Sequence, residues 1–536
     1  MGGQEAPVAT PTRPLPHAAD IYDVAVVGFG PSGAVAAGLL GGYGLRTFVC
    51  DKTREVYDKP RAIALDHEIL RVFQQLGIVE RIRPFVEPFT DSEYFGVDGQ
   101  LIKRLTMVPP PYPMGYTPSN VFTQPPVEAA LREHVLSLST VTTALGVQVV
   151  GIRQDDDLVT LDLAEADGAK RTVRARYVLA CDGASSFVRS AVGIELEDLA
   201  FDEPWLVVDV MVNERGLARL PATSVQYCEP ERPATMVIGP GNHRRWEISL
   251  KEDEDPRAMA TPAETWKLLS RWIGPEDGEL WRQASYRFHA LVAERWRAGR
   301  VFIGGDAAHQ QPPFLGQGMC QGVRDVANLA WKLRAVLSGE VQGQAAEDLL
   351  DSYGHERKQH VRDLTGTIKA IGAVICERDV ARARQRDAAL LAEGDGKVQD
   401  TPRQNVIPGL TTGLLSALPD PARGTLFPQP RLEAGEGSAR LMDELTGATW
   451  RLVLAPGFDA REWSADDWPG LTLVCMQRGR WSEVEPVLAQ WFEARSCRVA
   501  LVRPDHYVFG VADDMAGLDA LVNEWSRKYG QALVLG

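Results

Sequence analysis

No two cysteines in this sequence stand as C-x-x-C, and the seven that occur (Cys50, Cys181, Cys228, Cys320, Cys376, Cys475 and Cys497) are scattered and odd in number. Such spacing supplies neither a disulfide framework nor a zinc-ligand set, so no metal site is expected and a reducing cytoplasm suits the chain. Positive charge is also short: Lys and Arg number 57 against 72 Asp and Glu, a net charge of -15. Nucleic acid and anionic membranes need a basic face, so neither is an expected partner, and the acidity reads as a solubility device. No apolar run reaches the roughly 18 residues that a membrane helix needs. Residues 1–20 are rich in Pro, Ala and Thr without an apolar stretch, and read as a disordered leader rather than a signal peptide.

What is present begins with a strand-like run from Ile21 to Val27, then Gly28, Gly30 and Gly33, then an Ala- and Leu-rich helical stretch to Gly42. That order marks a dinucleotide-binding unit. Gly28 permits the tight turn, Gly30 lets a pyrophosphate approach the backbone, and Gly33 lets helix and strand pack closely. The phosphates would sit at the positive helix end, beside Pro31 and Ser32. A second strand from Leu45 to Cys50 ends at Asp51, whose carboxylate suits a ribose diol, with Lys52 next to it. This unit alone does not separate FAD from NAD. No second GxGxxG follows a strand, so one tightly held dinucleotide is expected.

A second constellation runs from Val301 to Cys320: a buried strand, Gly305 and Asp306, a Pro-Gly loop with Pro313 and Gly316, and a helix starting near Gly318 and Met319. Met319, Val323, Val326, Ala330 and Leu333 keep helical spacing. A carboxylate at that strand end can hold a polyol such as a ribityl chain. A helix N-terminus just after it can hold a flavin's N1–C2=O edge, which turns anionic on reduction. The plainer alternative is a strand–loop–helix connection with a capping Asp.

With these segments the chain resembles the group A flavoprotein aromatic monooxygenases, the p-hydroxybenzoate hydroxylase fold, over about Ile21 to Arg384. Gly28, Gly30 and Gly33 match that family's ADP-binding fingerprint, Asp182-Gly183 its DG motif, and Gly305-Asp306 with Pro313 its GD motif. The run from Pro60 to Glu68, and that from Pro312 to Met319 continued at Gly322, look like the 3-(3-hydroxyphenyl)propionate hydroxylase subfamily. Cys320-Gln321 departs from that pattern.

The resemblance implies bound FAD, with Arg61 and Gln124 near it, NADPH or NADH as transient reductant, and O2 and a small phenolic substrate. Oxygen would be transferred through a C4a-hydroperoxyflavin, which the protein must shield from water. A phenol's pKa near 10 calls for a base or a positive field. Candidate catalytic residues are His67 and Tyr227, though each is equally readable as a packed polar residue. His309 reads as fixing the GD loop. Arg244 and Arg245 could meet a substrate carboxylate or a nicotinamide-nucleotide phosphate, or form a solvated pair. Epoxidation, Baeyer–Villiger oxidation or tailoring of a larger substrate on the same fold stays open, as does a non-catalytic FAD scaffold. A halogenase is disfavoured, since no W-x-W-x-I-P segment occurs.

The expected fold class is α/β: a Rossmann-like FAD-binding domain, an interleaved mixed-sheet substrate domain and a C-terminal thioredoxin-like α/β domain. The FAD-binding domain would take residues 21–91, 119–204 and 288–392, and the substrate domain 92–118 and 205–287. Residues 393–432, rich in Gly, Pro and Asp, read as a linker. Residues 433–536 resemble the thioredoxin-like tail of phenol-hydroxylase relatives. Lacking C-x-x-C, that tail is expected to have no redox role and to serve in packing or in a homodimer.

Overall fold

The computed structural model describes residues 20–433, 438–459, 463–464, 467–476 and 481–530. The expected leader lies outside them, apart from Asp20. The Ile21–Val27 strand pairs in parallel with Thr47–Asp51 on one side and Lys170–Ala180 on the other. Val141–Leu145 and Val301–Ile303 extend the parallel run outward, Arg297–Ala298 pairs antiparallel at the edge with Val301–Ile303, and an antiparallel hairpin, Val147–Gln154 with Val159–Glu165, completes eight strands. Strands covered on both faces must be apolar throughout, which the run Val24 to Val27 satisfies. The Pro31–Gly42 helix lies against this sheet. A Cβ at Gly33 would stand 2.0 Å from the Gly28 carbonyl oxygen, so only glycine allows the approach. In the Gly318–Leu337 helix, Val323, Val326, Ala330 and Leu333 are buried, as their spacing predicts.

A second sheet has nine strands, from His309–Gln310 at one edge through Gly278–Ala293, Leu196–Val212, His243–Ser249, Ala234–Ile238 and Ser224–Tyr227 to Ser92–Phe95, Leu101–Thr106 and Asp400–Pro402. Side chains alternate between its faces. Leu206, Val208, Val225, Met236, Trp246 and Ile248 form an apolar layer with Leu269 and Trp272. Val207, Gln226, Thr235 and Glu247 take the other face. The sheet thus reaches past the limits expected for the substrate domain, into residues 196–204, 288–293, 309–310 and 400–402.

The expected linker is a correction. Glycine and proline signal turns whether or not the turns are packed, and these are: Arg403, Leu410, Leu414, Leu415 and Phe427 are all buried. The C-terminal sheet has the order Leu471–Cys475, Trp450–Leu454, Val499–Val502, Val508–Ala512, with the first pair parallel and the rest antiparallel. Helices Val487–Arg495 and Met515–Tyr529 accompany it. Trp450 from this sheet meets Trp331 of the Gly318–Leu337 helix edge to face at 5.8 Å, so the tail buries its core against the FAD-domain helices. Among the described residues no helix is long and apolar enough to cross a membrane, and no His, Cys, Asp or Glu cluster could hold a metal.

Candidate active site

Two helix N-termini without side-chain caps, at Pro31 and at Gly318, border one cavity of about 870 Å³. Their first N–H groups remain available to an anionic ligand. Gly28 has a φ of +99°, and a Cβ there would fall 2.3 Å from the Cys181 carbonyl oxygen; a Cβ at Gly30 would meet nothing within 4 Å. The turn is closed on the protein side and open on the cavity side, as a pyrophosphate against the backbone requires. Asp51 Oδ2 accepts from the Phe29 amide, and Oδ1 from the Thr53 amide and hydroxyl, each at 2.7 Å. It therefore locks the end of its strand to the glycine turn, with Lys52 beside it on the cavity wall.

Asp306 lines the same cavity and takes no hydrogen bond from any described residue. The surrounding protein pushes its carboxyl above the ordinary range, against the pull of His309 and Arg61. Its turn is held by Asp325, which accepts from the Gly305 amide at 2.9 Å, from His309 Nε2 at 2.8 Å and from Arg357 at 2.9 Å. His309 is thereby fixed, and it stacks on Trp296 at 5.5 Å. A Cβ at Gly322 would lie 2.2 Å from Ser32 Oγ and 3.1 Å from Gly305 Cα, so glycine lets the fingerprint helix and the GD turn touch. Asp182 accepts from the Ser186 hydroxyl and the Val188 amide, and Arg189 reaches the Ala307 carbonyl at 3.0 Å, which joins the DG and GD segments.

The Arg61 loop is clamped from two sides. Gln124 Oε1 accepts from the Arg61 and Ala62 amides at 3.1 and 2.6 Å. From the nine-stranded sheet, Arg245 donates to the Arg61 carbonyl at 2.8 Å and Arg282 to the Pro60 carbonyl at 2.9 Å. Pro313, Gly316, Gly318 and Met319 edge the same space, as does Gly183. This set fits FAD: free helix ends for pyrophosphate and for the ring's polar edge, and carboxylates at Asp51 and Asp306 for hydroxyls.

Opposite this cradle stands the polar face of the nine-stranded sheet. Gln226, Thr235, Glu247 and Val207 lie side by side on four neighbouring strands. The Thr235 hydroxyl is bonded to Gln226 Oε1. Asp209 binds Arg245 through both oxygens, at 2.7 and 3.1 Å, and His243 at 2.8 Å. Burial would raise the Asp209 carboxyl, but Arg245 and His243 outweigh it and hold it low. Arg403 sits 4.2 Å over the Phe89 ring and donates to Ser119 Oγ and the Leu315 carbonyl at 3.1 Å each. Glu247, buried and without a described hydrogen-bond partner, is pushed up by burial to about 7, with Arg245 pulling down and Asp209 pushing up.

Several sequence candidates sit elsewhere. His67 starts the His67–Gln75 helix outside the cavity lining, where burial lowers its pKa to about 4 and Nδ1 lacks a partner among the described residues. Tyr227 is one residue out of phase with the cavity-facing Gln226, and its ring packs 5.3 Å from Trp272. Arg244, likewise out of phase with Arg245, bonds the Gly241 and His243 carbonyls. Cys320 and Gln321 are both buried, and neither lines the cavity. Gln226, Glu247, Arg282 and Arg403 were missed. A signal existed for Glu247, because Arg245 and Glu247 alternate with Trp246 and Ile248 in a single strand.

Fold and cavity together define an FAD-dependent monooxygenase. The family described as an FAD binding domain matches residues 21–367, and one described as an HcaD C-terminal domain matches residues 424–528. The chain is 37% identical over 516 residues to a probable NADH-specific resorcinol 4-hydroxylase of Rhodococcus jostii strain RHA1, covering 94% of each chain. It is 33% identical over 536 residues to a 3-(3-hydroxy-phenyl)propionate/3-hydroxycinnamic acid hydroxylase of Burkholderia cenocepacia strain HI2424, covering 94% of this chain and 97% of that one. In fold it matches the flavin-dependent monooxygenase PieE, solved with FAD and substrate, at a TM-score of 0.80 and 22% identity over 96% of this chain and all of that one. The chain belongs to the FAD-binding-domain family of group A flavoprotein monooxygenases and binds FAD.

Proposed function

We propose that the protein hydroxylates a small phenol, of the resorcinol or 3-(3-hydroxyphenyl)propionate kind, with NADH as reductant and O2 as oxidant, in the cytoplasm. The observation that carries this reading is the single cavity joining an FAD cradle to a polar sheet face. The names of the relatives support the substrate class and the reductant. FAD, when bound, takes a hydride from the nicotinamide and delivers one atom of O2 to the ring. Gly28, Gly30, Pro31, Ser32, Gly33, Asp51 and Lys52 hold the adenosine end and pyrophosphate. Gly305 and Asp306 hold the ribityl chain, while Arg61, Gln124, Asp182, Gly183, Pro313, Gly316, Gly318 and Met319 complete the cofactor wall. Val207, Val237, Phe314 and Leu315 line the space with carbon and keep water from the reacting atoms.

The test is NADH oxidation by the purified yellow protein with resorcinol or 3-(3-hydroxyphenyl)propionate, scored by product mass. Faster NADH consumption with a product 16 Da heavier is expected. A protein inert to NADH with every phenol would instead favour a non-catalytic FAD scaffold.

A further inference from the structure

Four acidic residues line the cavity: Asp51, Asp182, Glu247 and Asp306. Three belong to the FAD cradle, and Glu247 alone belongs to the sheet that faces it. The imidazoles and the phenol hydroxyl on the lining each already face a protein partner. His309 is bonded to Asp325, His289 stands 3.7 Å from Asp202, and the Tyr286 hydroxyl is bonded to Arg282. Glu247 is buried with neither hydrogen bond nor ion pair to any described residue, in a row with the Gln226–Thr235 pair. A buried carboxyl without a partner costs free energy unless a ligand supplies one. The charged groups around it are Arg245 on its own strand and Asp209 on the neighbouring one, themselves joined, with Arg282 3.7 Å from Asp209.

Resting on the phenol reading above, we propose that Glu247 is the base that takes the proton from the substrate's ring hydroxyl. The phenol O–H bond breaks, its proton passes to the Glu247 carboxylate, and the electron pair stays on oxygen, enriching the ortho and para carbons. After oxygen reaches the ring, the hydrogen on the attacked carbon leaves as a proton, the ring oxygen is protonated again, and Glu247 returns to its carboxylate. The neighbourhood suits the task. A phenol near 10 faces a carboxyl raised to about 7 rather than 4.5, which narrows the uphill transfer while leaving the group substantially ionised at neutral pH. Gln226 and Thr235 can orient the hydroxyl as it arrives.

The experiment uses the FAD-loaded protein and its Glu247→Gln and Glu247→Asp variants. Product formation is measured with resorcinol and with a nitro-substituted resorcinol acidic enough to be ionised at the assay pH. Glu247→Gln matches the protonated side chain in shape, so FAD content should hold. Its rate with resorcinol should fall about 100-fold or more, the usual range for losing a general base. With the ionised nitro-phenol the loss should shrink to a few-fold, and Glu247→Asp should recover part of the rate. An equal loss with both phenols in Glu247→Gln and Glu247→Asp alike, or no loss, would assign Glu247 to cavity shape and overturn the proposal. If the wild-type protein hydroxylates no phenol, the functional reading itself falls and takes this role with it.

Discussion

The Tyr507 hydroxyl donates to Glu68 Oε1 at 2.9 Å, joining the C-terminal domain to the helix that follows the Arg61 loop. The other Glu68 oxygen and Asp66 both bind Arg324, whose remaining nitrogen donates to Gln317 Oε1 at 2.9 Å. Gln317 is the N-cap of the Gly318–Leu337 helix. A buried chain of four groups therefore connects the tail to the cavity-facing helix end, which gives this tail a structural task that needs no dithiol.

Tyr507→Phe removes one donor and leaves a buried carboxylate oxygen unmatched. The expected cost is about 1–3 kcal/mol of stability, with FAD still bound. Arg324→Met strands two buried carboxylates and should cost more, roughly 3–5 kcal/mol. Urea unfolding of the holoenzymes checks the order. Equal midpoints for both variants would mean that the chain carries no coupling.

Asp443 ties the tail to the first domain in a second place. It accepts from Arg71 at 2.6 and 3.1 Å and also binds Arg451, with His506 at 3.6 Å. Burial alone would raise its carboxyl, but Arg71, His506 and Arg451 outweigh that and hold it well below the usual range. A depressed carboxyl adds stability above the unfolded value near 4 and loses it as pH falls further. Asp443→Asn should therefore cost roughly 3–5 kcal/mol at pH 7, and the gap to wild type should close as the medium is taken below pH 4. A gap that stays constant down to pH 3 would contradict the assignment.

The parts legible in the sequence are those whose signal is local. The glycine turn at Gly28 to Gly33 and the strand–loop–helix around Asp306 each carry their pattern within about twenty consecutive residues. Arg403 was not legible, because it follows a strand paired with Leu101–Thr106 far along the chain. For Glu247 the alternation with Trp246 and Ile248 marks a polar face, but what that face meets depends on Val207 and Thr235 on distant strands. Tyr227 shows how narrow the margin is. A strand turns successive side chains to opposite faces, so the strand was found while the cavity residue on it was missed by one.

Glu247 also makes a prediction about stability. A carboxyl raised from 4.5 to about 7 stays protonated between those two values in the folded chain while the unfolded one ionises. Stability is then complete below about pH 4.5 and declines as pH rises through 7, by roughly 3 kcal/mol in total. Glu247→Gln cannot ionise. It should match wild type near pH 4.5 and exceed it by up to that amount at pH 8, read from urea midpoints at the two pH values. A pH-independent difference would mean that Glu247 ionises normally in the fold.

Asp306 offers a test in which affinity and stability move apart. Its carboxylate lines the cavity, accepts no hydrogen bond from the described residues, and is held at a raised pKa by the protein around it. Without FAD, then, Asp306→Ala removes no hydrogen bond to a described residue, so the apo-protein should unfold no earlier than wild type. With FAD, the variant lacks charge-assisted hydrogen bonds to the ribityl hydroxyls worth roughly 1.5–3 kcal/mol, a rise in Kd of about 10- to 150-fold. The pyrophosphate contacts at Gly28 to Gly33 remain, so binding should weaken rather than vanish. A carboxylate that only shaped its turn would give the reverse: an earlier-melting apo-protein with wild-type FAD affinity. Titrating FAD into both apo-proteins while following their thermal unfolding separates the two, and an unchanged Kd would remove Asp306 from the cofactor site.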